Sequence, residues 1–280
     1  MIDLHLHTNM SDGSDAPVEL VNRLNSMNCK AFSVTEHDDL RANNIIISTM
    51  KDKNCSMSFV TGIEFCCVFE GRNLHLLCYG FNPASKRLNN LISKGVFLRH
   101  ERIKAMIKHL HDKHGITVMS DDVAKIFARD IPGKVHVYEA IKSSIIMNRS
   151  DFYDNCLNDM ESRQFKLDAQ QVIDVVTSAG GIVSFAHPIE VQKEYGIDFP
   201  DILMMSKKLS NIGLTGLEIY HSLHKKHQIE EYLKIAHSCG LLASAGSDYH
   251  GIHKDVKIGQ LTNFDFSPDY SDITILNRLL

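Results

Sequence analysis

The chain has 280 residues, 44% of them hydrophobic, and a formal net charge of −4 at pH 7. This composition allows one large buried core, and the charge does not indicate a nonspecific polyanion-binding surface. No apolar run reaches membrane-spanning length, and no basic segment followed by an apolar one opens the chain, so we expect neither a membrane anchor nor a signal peptide. Seven cysteines without a Cys-x-x-Cys spacing argue against a disulfide framework and favour a cytoplasmic protein.

The first residues alternate between apolar and polar side chains, in the order Ile2-Asp3-Leu4-His5-Leu6-His7. This period of two predicts a strand that carries both histidines on one face. Two imidazoles placed in this way suit one metal ion, although a His-x-His pair also occurs by chance on a solvated strand. Residues elsewhere in the chain are needed to distinguish a metal site from a chance pair.

Strand and helix patterns alternate over most of the chain. Helices are predicted near residues 16–24, 40–50, 168–179, 202–209 and 225–238. Strands are predicted at residues 2–7, 30–35, 58–64, 73–79, 182–186, 214–221 and 241–245. Seven strands separated by helices imply parallel pairing, and the length suits a (β/α)7 barrel of the TIM type better than an open sheet.

The pattern changes between about residues 95 and 166, where it is helical and more polar. An apolar stripe through Ile103, Met106 and Leu110 predicts a helix that ends at Gly115. We therefore expect three segments: residues 1–94 as the first part of the barrel, 95–166 as a helical insertion that caps the substrate, and 167–280 as the second part of the barrel.

Histidines and carboxylates fall at or just past the carboxyl ends of six predicted strands. These residues are His5, His7, His37, Glu64, His187, His221, Asp248 and His250. In an α/β barrel such strand ends converge on one face, which is where active sites form. A single strand-end histidine is usually structural, but six strand ends with polar residues favour a functional site.

The order and spacing of these motifs resemble the PHP (polymerase and histidinol phosphatase) metallophosphoesterase family. The motifs are His5-Leu6-His7 with Asp12, Thr35-Glu36-His37-Asp38, Gly62-Ile63-Glu64, Ala186-His187-Pro188 and Gly246-Ser247-Asp248-Tyr249-His250. The resemblance implies a distorted seven-stranded barrel that holds three divalent metal ions in a cleft. It assigns the first ion to His5, His7, Glu64 and Asp248, the second to Glu64, His75 and His187, and the third to Asp12, His37 and His250.

The chemistry of this donor set supports the same conclusion. All nine candidate ligands are imidazoles or carboxylates and none is a thiolate, which suits Zn²⁺, Mn²⁺ or Fe²⁺ at a catalytic site. A carboxylate such as that of Glu64 can bridge two cations about 3.5–4 Å apart. We expect such a cluster to supply hydroxide from a bridging water at pH 7 and to offset the charge that develops on a phosphoryl group.

The insertion carries the features that bear on the substrate. Arg99 and Arg102 share a helix face, and guanidinium groups suit phosphate, although a solvated helix explains them equally well. Gly133-Lys134-Val135-His136 resembles the Gly-Arg-Pro-His turn of the PHP branch that includes nucleoside 3′,5′-bisphosphate phosphatases and 5′-3′ exoribonucleases. The resemblance implies a phosphate clamp of Arg99, Arg102, Lys134 and His136 and a small nucleotide or short RNA, not long duplex nucleic acid, as the substrate.

His221 and the overall activity have alternative explanations. His221 is expected to donate a proton to the leaving group or to bind phosphate, but a structural role is equally compatible with a strand end. Histidinol-phosphate phosphatase activity, a non-catalytic metal-binding PHP scaffold, and C–N hydrolysis on an amidohydrolase-like barrel compete with the nucleotide hypothesis. Seven other histidines are assigned to the surface or to packing: His109, His111, His114, His224, His227, His237 and His253.

Overall fold

The computed structural model describes residues 1–280. The strands are β1 (Ile2–Asp3), β2 (Ala31–Val34), β3 (Ser58–Phe69), β4 (Arg72–Tyr79), β5 (Leu167–Asp168), β6 (Ile182–Phe185), β7 (Gly216–His221) and β8 (Leu242–Gly246). The α-helices are α1 (Pro17–Ser26), α2 (Arg41–Asp52), α3 (Lys86–His114), α4 (Ser120–Phe127), α5 (Lys134–Ile141), α6 (Arg149–Cys156), α7 (Ala169–Ser178), α8 (Pro188–Tyr195), α9 (Phe199–Asn211), α10 (Lys226–Cys239) and α11 (Leu276–Leu279). None of these helices is both long and apolar enough to span a membrane.

Seven of the strands follow one another around a barrel-shaped sheet in the order β1-β2-β3-β4-β6-β7-β8, while β5 pairs with β3. The two ends of this path approach each other, since the amide of Leu4 donates to the carbonyl of Ala245 at 3.0 Å. The amide of Asp248 likewise donates to the carbonyl of His5 at 2.9 Å. The predicted seven-stranded α/β barrel is therefore confirmed.

The expectation that all strands are parallel is wrong for β4. This strand runs antiparallel to both β3 and β6. A hairpin joins β3 to β4 through Glu70 and Gly71, which both have positive φ angles, of 47° and 75°. Two positive φ angles in a two-residue loop suit the twist of a β-hairpin. Parallel pairing was predicted because helices separate the strands. No helix lies between β3 and β4, so that reason does not apply to them.

The buried apolar residues form three separate clusters. The largest core contains 44 buried residues, and it joins β3, β4, β6, β7 and β8 to the helices behind them. A second cluster packs α1 and α2 against β2 and Leu6. The helices of the insertion have a core of nine buried residues of their own, which includes Ile103, Leu110 and Phe152.

Several local sequence signals correspond to helix ends. Pro17 lies in the first turn of α1, and the left-handed Gly115 ends α3. The carboxylate of Asp168 accepts a hydrogen bond from the amide of Gln171 at 2.9 Å and caps α7. The boundary expected near residue 95 falls inside α3, which is one continuous helix from the barrel wall into the insertion.

Candidate metal centre

His5 and His7 follow β1 and point into a largely buried polar cluster. Both side chains have 0% exposure. Their Nε2 atoms lie 3.4 Å and 3.2 Å from Oε2 of Glu64. The two-residue spacing along extended backbone brings both rings to the same side, as the alternation in the sequence predicts.

Glu64 is the central carboxylate of this cluster. It lies on β3, and its side chain also approaches Nδ1 of His37 at 3.1 Å, Nδ1 of His75 at 2.8 Å and Nε2 of His187 at 3.1 Å. Burial by itself would raise the pKa of Glu64, but the surrounding imidazoles, His37 first among them, hold this pKa well below its usual value. The carboxylate is therefore ionised and available to cations on several sides.

Asp248 approaches the cluster from the end of β8. Its Oδ1 lies 3.4 Å from Nε2 of His5 and 3.5 Å from Nε2 of His7, and its Oδ2 accepts from the ammonium of Lys254. Burial opposes ionisation of Asp248, yet Lys254 and His5 keep its pKa well below the usual range. The residue has a φ of 58°, a left-handed conformation that an aspartate tolerates better than most residues.

Asp12, His37 and His250 form the outer side of the cluster. Nε2 of His250 lies 3.2 Å from Oδ1 of Asp12, and Nε2 of His37 lies 3.6 Å from Oδ2 of the same carboxylate. The His250 ring stacks on His7 with centroids 4.1 Å apart, which joins this group to the inner histidines.

The donor set fits divalent metal ions. Sets of three or more ligand atoms from these residues lie within 4.8 Å of one another, one of them from His7, Asp12, His37 and His250. The buried Nε2 atoms of His5 and His7 have no hydrogen-bond partner. Buried polar atoms are normally satisfied, and an ion among these nitrogens and the ionised carboxylates would satisfy them. The structure brings all nine predicted ligand candidates together on one face of the barrel.

Two buried carboxylates in contact with this cluster were not assigned a role from the sequence. Glu218, on β7, places Oε1 3.0 Å from Nδ1 of His5 and accepts from the amide of His187 through Oε2 at 2.7 Å. Glu36 accepts from the amide of Thr8 at 2.9 Å, and burial raises the pKa of Glu36 to about 8. The sequence offered one indication of a role for Glu218 and Glu36: each carboxylate lies within or next to a strand that is otherwise apolar.

His221 lies beside the cluster, close to His5 and Asp248, and does not line the cleft. It has 0% exposure, its Nε2 is 3.6 Å from Oδ2 of Asp248, and its Nδ1 accepts from the amide of Leu223 at 3.1 Å. The buried Nε2 of His221 has no hydrogen-bond partner, as is also the case for Nε2 of His5 and His7. The proton-donating, phosphate-binding and structural roles of His221 stay predictions.

An open cleft of about 520 Å³ lies above the metal-ligand cluster. Positively charged or ionisable side chains of its wall include Lys134, Arg149, Lys254 and His253. The turn before α5 reaches down to the cluster, since a Cβ added to Gly133 would lie 3.7 Å from Cβ of Asp12. The insertion thus forms one wall of the cleft, and His253, assigned from the sequence to the surface or to packing, lines it.

The phosphate clamp expected from the sequence is not assembled as a unit. Arg99 is 3% exposed and donates to Oδ2 of Asp38 through Nε at 3.0 Å and Nη2 at 2.8 Å. Arg102 lines a small cavity beside Arg99, outside the cleft. Nδ1 of His136 accepts from the amide of Gly133 at 2.9 Å, and His136 lines a neighbouring depression.

Of the four predicted clamp residues, only Lys134 lines the cleft. Charge compensation explains the position of Arg99, because a buried carboxylate such as that of Asp38 requires a partner. Arg149, from the start of α6, lies in the cleft wall instead. The sequence around Arg149 contains no recognisable motif, so the position of Arg149 in the cleft wall follows only from how the helices of the insertion pack.

Comparison with known proteins identifies the family. A model of the PHP domain matches residues 3–157, more than half of the chain, and the chain therefore belongs to the PHP domain family. The family and the barrel fold expected from the sequence are thus confirmed, and membership of this family implies divalent metal ions.

Two curated relatives and one solved structure resemble the chain over most of its length. A 5′-3′ exoribonuclease of Haemophilus influenzae is 24% identical, with 89% of each chain covered. A phosphoribosyl 1,2-cyclic phosphate 1,2-diphosphodiesterase of Eggerthella lenta is 26% identical, with 94% of this chain and 97% of the relative covered. A structure assigned as a metal-dependent phosphoesterase from Bifidobacterium adolescentis superposes with a TM-score of 0.80 at 22% identity, covering 100% of this chain and 96% of that one.

Proposed function

We propose that this protein is a metal-dependent phosphoesterase that hydrolyses phosphate esters of small ribose compounds, either a nucleoside 3′,5′-bisphosphate or the 5′ end of short RNA. The observation that carries the proposal is the position of Glu64. Its carboxylate lies within 3.4 Å of nitrogens of five imidazoles, at the floor of a cleft whose wall carries lysine and arginine. The names of both curated relatives denote cleavage of ribose phosphates.

The chain offers enough donors for three divalent ions, for which we propose Mn²⁺, Zn²⁺ or Fe²⁺. We assign one ion to His5, His7, Glu64 and Asp248, one to Glu64, His75 and His187, and one to Asp12, His37 and His250. Such ions, when bound, activate water as a nucleophile and offset negative charge on the phosphoryl group.

The residues of the cleft wall bind and orient the substrate. Lys134 and Arg149 come from two insertion helices and face the same cleft as the cluster. The ring of Tyr153 lies 4.4 Å below the ammonium of Lys134 and holds this cation over the cleft. We propose that these two cations bind the substrate phosphate that is not hydrolysed, so that the reacting phosphate lies over Glu64.

Lys254 and Glu218 set the charge and orientation of the ligands. Lys254 is paired with Asp248 in the cleft, and we propose that it moves to a phosphate oxygen when Asp248 binds a cation. Glu218 fixes the ring of His5 and the backbone of His187, and we propose that this keeps the unpartnered Nε2 of His5 directed at the cluster.

A substrate panel tests this proposal. Purified protein with added Mn²⁺ is assayed for phosphate release or chain shortening on adenosine 3′,5′-bisphosphate, short 5′-phosphorylated RNA, a ribose cyclic phosphate, histidinol phosphate and an aryl phosphate. We expect the ribose phosphates to be turned over at least tenfold faster than the other two. Preference for histidinol phosphate would replace the nucleotide proposal, and metal binding without turnover of any ester would support a non-catalytic scaffold.

Variants connect the activity to the proposed residues. Asp248→Ala and His187→Ala each remove one ligand candidate and are expected to abolish turnover, whereas His237→Ala, at an exposed position on α10, is the matched control. Activity that persists in both ligand variants would show that the chemistry occurs elsewhere.

A further inference from the structure

Cys66 places a sulfur atom at the edge of the imidazole and carboxylate cluster. It lies two residues after Glu64 on β3, so both side chains point to the same face of the strand. In the antiparallel register of β3 and β4, Cys66 pairs with His75. Its side chain is buried, with 7% exposure of the residue.

Two kinds of polar group face this sulfur. Sγ of Cys66 lies 3.9 Å from Nδ1 of His37 and accepts from Nη2 of Arg99 at 3.2 Å. Ligand atoms of His37, Cys66 and His75 all lie within 4.8 Å of one another. This spacing allows one ion to reach all three side chains with small adjustments, since zinc binds sulfur at about 2.3 Å and imidazole nitrogen at about 2.0 Å.

Arg99 is explained by the same arrangement. Its guanidinium bridges the carboxylate of Asp38 and Sγ of Cys66 in a buried position. A metal-bound cysteine carries a negative charge on sulfur, and a fixed cation beside it offsets that charge. Arg99, which does not reach the cleft, thus supports the buried side of the cluster.

We propose that Cys66 is a sulfur ligand of the metal centre: it shares with His75 the ion assigned above to Glu64, His75 and His187, beside Nδ1 of His37, and makes this a mixed imidazole–thiolate site. Sulfur donors favour Zn²⁺ and other softer ions over Mn²⁺ and Mg²⁺, so Cys66 biases the centre toward these ions. The inference concerns the ions that the centre binds, and it holds whichever phosphate ester is the substrate.

The neighbouring Cys67 provides a matched control. It follows Cys66 directly, points to the opposite face of β3 and packs in the main apolar core with 0% exposure. A serine at either position changes one atom in a buried strand. Only Cys66→Ser removes a sulfur that faces the cluster.

Cobalt substitution tests the proposal without an activity measurement. The full chain is stripped of metal, loaded with Co²⁺ and examined for the near-ultraviolet absorption band that arises from sulfur-to-cobalt charge transfer. We expect the band in the wild type and in Cys67→Ser, and its loss in Cys66→Ser. Absence of the band in the wild type, failure to take up cobalt, or a band that persists in Cys66→Ser would overturn the proposal.

X-ray absorption of the zinc-loaded wild type gives a second measurement that does not depend on a variant that folds. We expect a sulfur shell at about 2.3 Å, and a shell of nitrogen and oxygen alone would refute sulfur ligation. Circular dichroism of Cys66→Ser and Cys66→Ala checks that a lost band does not reflect unfolding. Neither spectrum measures turnover. Sulfur ligation by Cys66 can therefore be tested even if no substrate of the panel is hydrolysed.

Discussion

Oε1 of Glu218 lies 3.0 Å from Nδ1 of His5, and both side chains have 0% exposure. The carboxylate fixes the orientation of the imidazole and leaves its Nε2 directed toward Glu64 and Asp248. A carboxylate that accepts from the distal nitrogen of a ligand histidine raises the basicity of that ligand. Glu218 is not one of the predicted metal ligands, but it orients His5, which is.

The first prediction concerns this contact. Glu218→Gln keeps the shape of the side chain but removes its charge, so we expect metal affinity to fall by about 10–100-fold, as measured by competition with a chelator. Glu230→Gln, at an exposed position on α10, is the control and is expected to bind metal as the wild type does. Unchanged affinity in Glu218→Gln would mean that the carboxylate only fills space.

The second prediction concerns the cations of the cleft wall. Lys134→Ala and Arg149→Ala each remove a proposed phosphate contact, and a hydrogen bond to a charged group contributes about 1.5–3 kcal/mol. We therefore expect kcat/KM for adenosine 3′,5′-bisphosphate to fall by roughly 10–100-fold, mainly through KM. The matched control is Lys142→Ala, an exposed lysine at the end of α5 paired with Glu139.

An aryl phosphate with a single phosphate group separates binding of the second phosphate from chemistry. Its turnover is expected to change much less in Lys134→Ala and Arg149→Ala than that of the bisphosphate. An equal loss on both substrates would place these cations at the reacting phosphate instead.

The third prediction concerns metal removal. Ions that bind the folded chain and not the unfolded one add about 2.7 kcal/mol of stability at a free concentration of 100 times Kd. For a chain of this size that corresponds to a rise in Tm of several degrees. We expect a chelator to lower Tm, by differential scanning calorimetry, and added Zn²⁺ or Mn²⁺ to restore it. Asp248→Ala should show a smaller difference between the two conditions, and a Tm insensitive to metal in the wild type would contradict the proposed centre.

The fourth prediction concerns the cap of α7. Asp168 is exposed and accepts from the amide of Gln171, so Asp168→Ala removes one capping bond without disturbing the core. We expect the free energy of unfolding in urea to fall by about 1 kcal/mol. Asp168→Asn retains a capping oxygen and is expected to change stability by only a few tenths of a kcal/mol. Equal losses in the two variants would show that charge, and not the cap, is responsible.

The sequence predicted the elements that depend on neighbouring residues. The cap at Asp168 is a short-range signal, and the structure contains it. The strand predicted over residues 2–7 is formed only at Ile2–Asp3, with one bridge from Leu6 to Tyr249, yet His5 and His7 still reach the same carboxylate. The convergence of strand-end histidines and carboxylates was also predictable, because parallel strands of a barrel bring their carboxyl ends to one face.

Strand direction and charge pairing required the folded chain. A period of two is the same in either direction, so the pattern at residues 73–79 did not reveal that β4 is antiparallel. Arg99 shares a helix face with Arg102, which suited a phosphate ligand as well as a solvated helix, yet Asp38 and Cys66 enclose its guanidinium, and their positions depend on other elements.

The sequence by itself determined the family, the barrel and the residue types available to hold metal ions, because these follow from motif order and local periodicity. Only the tertiary structure decided which polar groups face one another. It paired Glu218 with His5, buried His221 beside Asp248 and brought Arg149 to the cleft. Contacts between residues far apart in the chain depend on how helices and strands pack, and no short stretch of sequence encodes that packing.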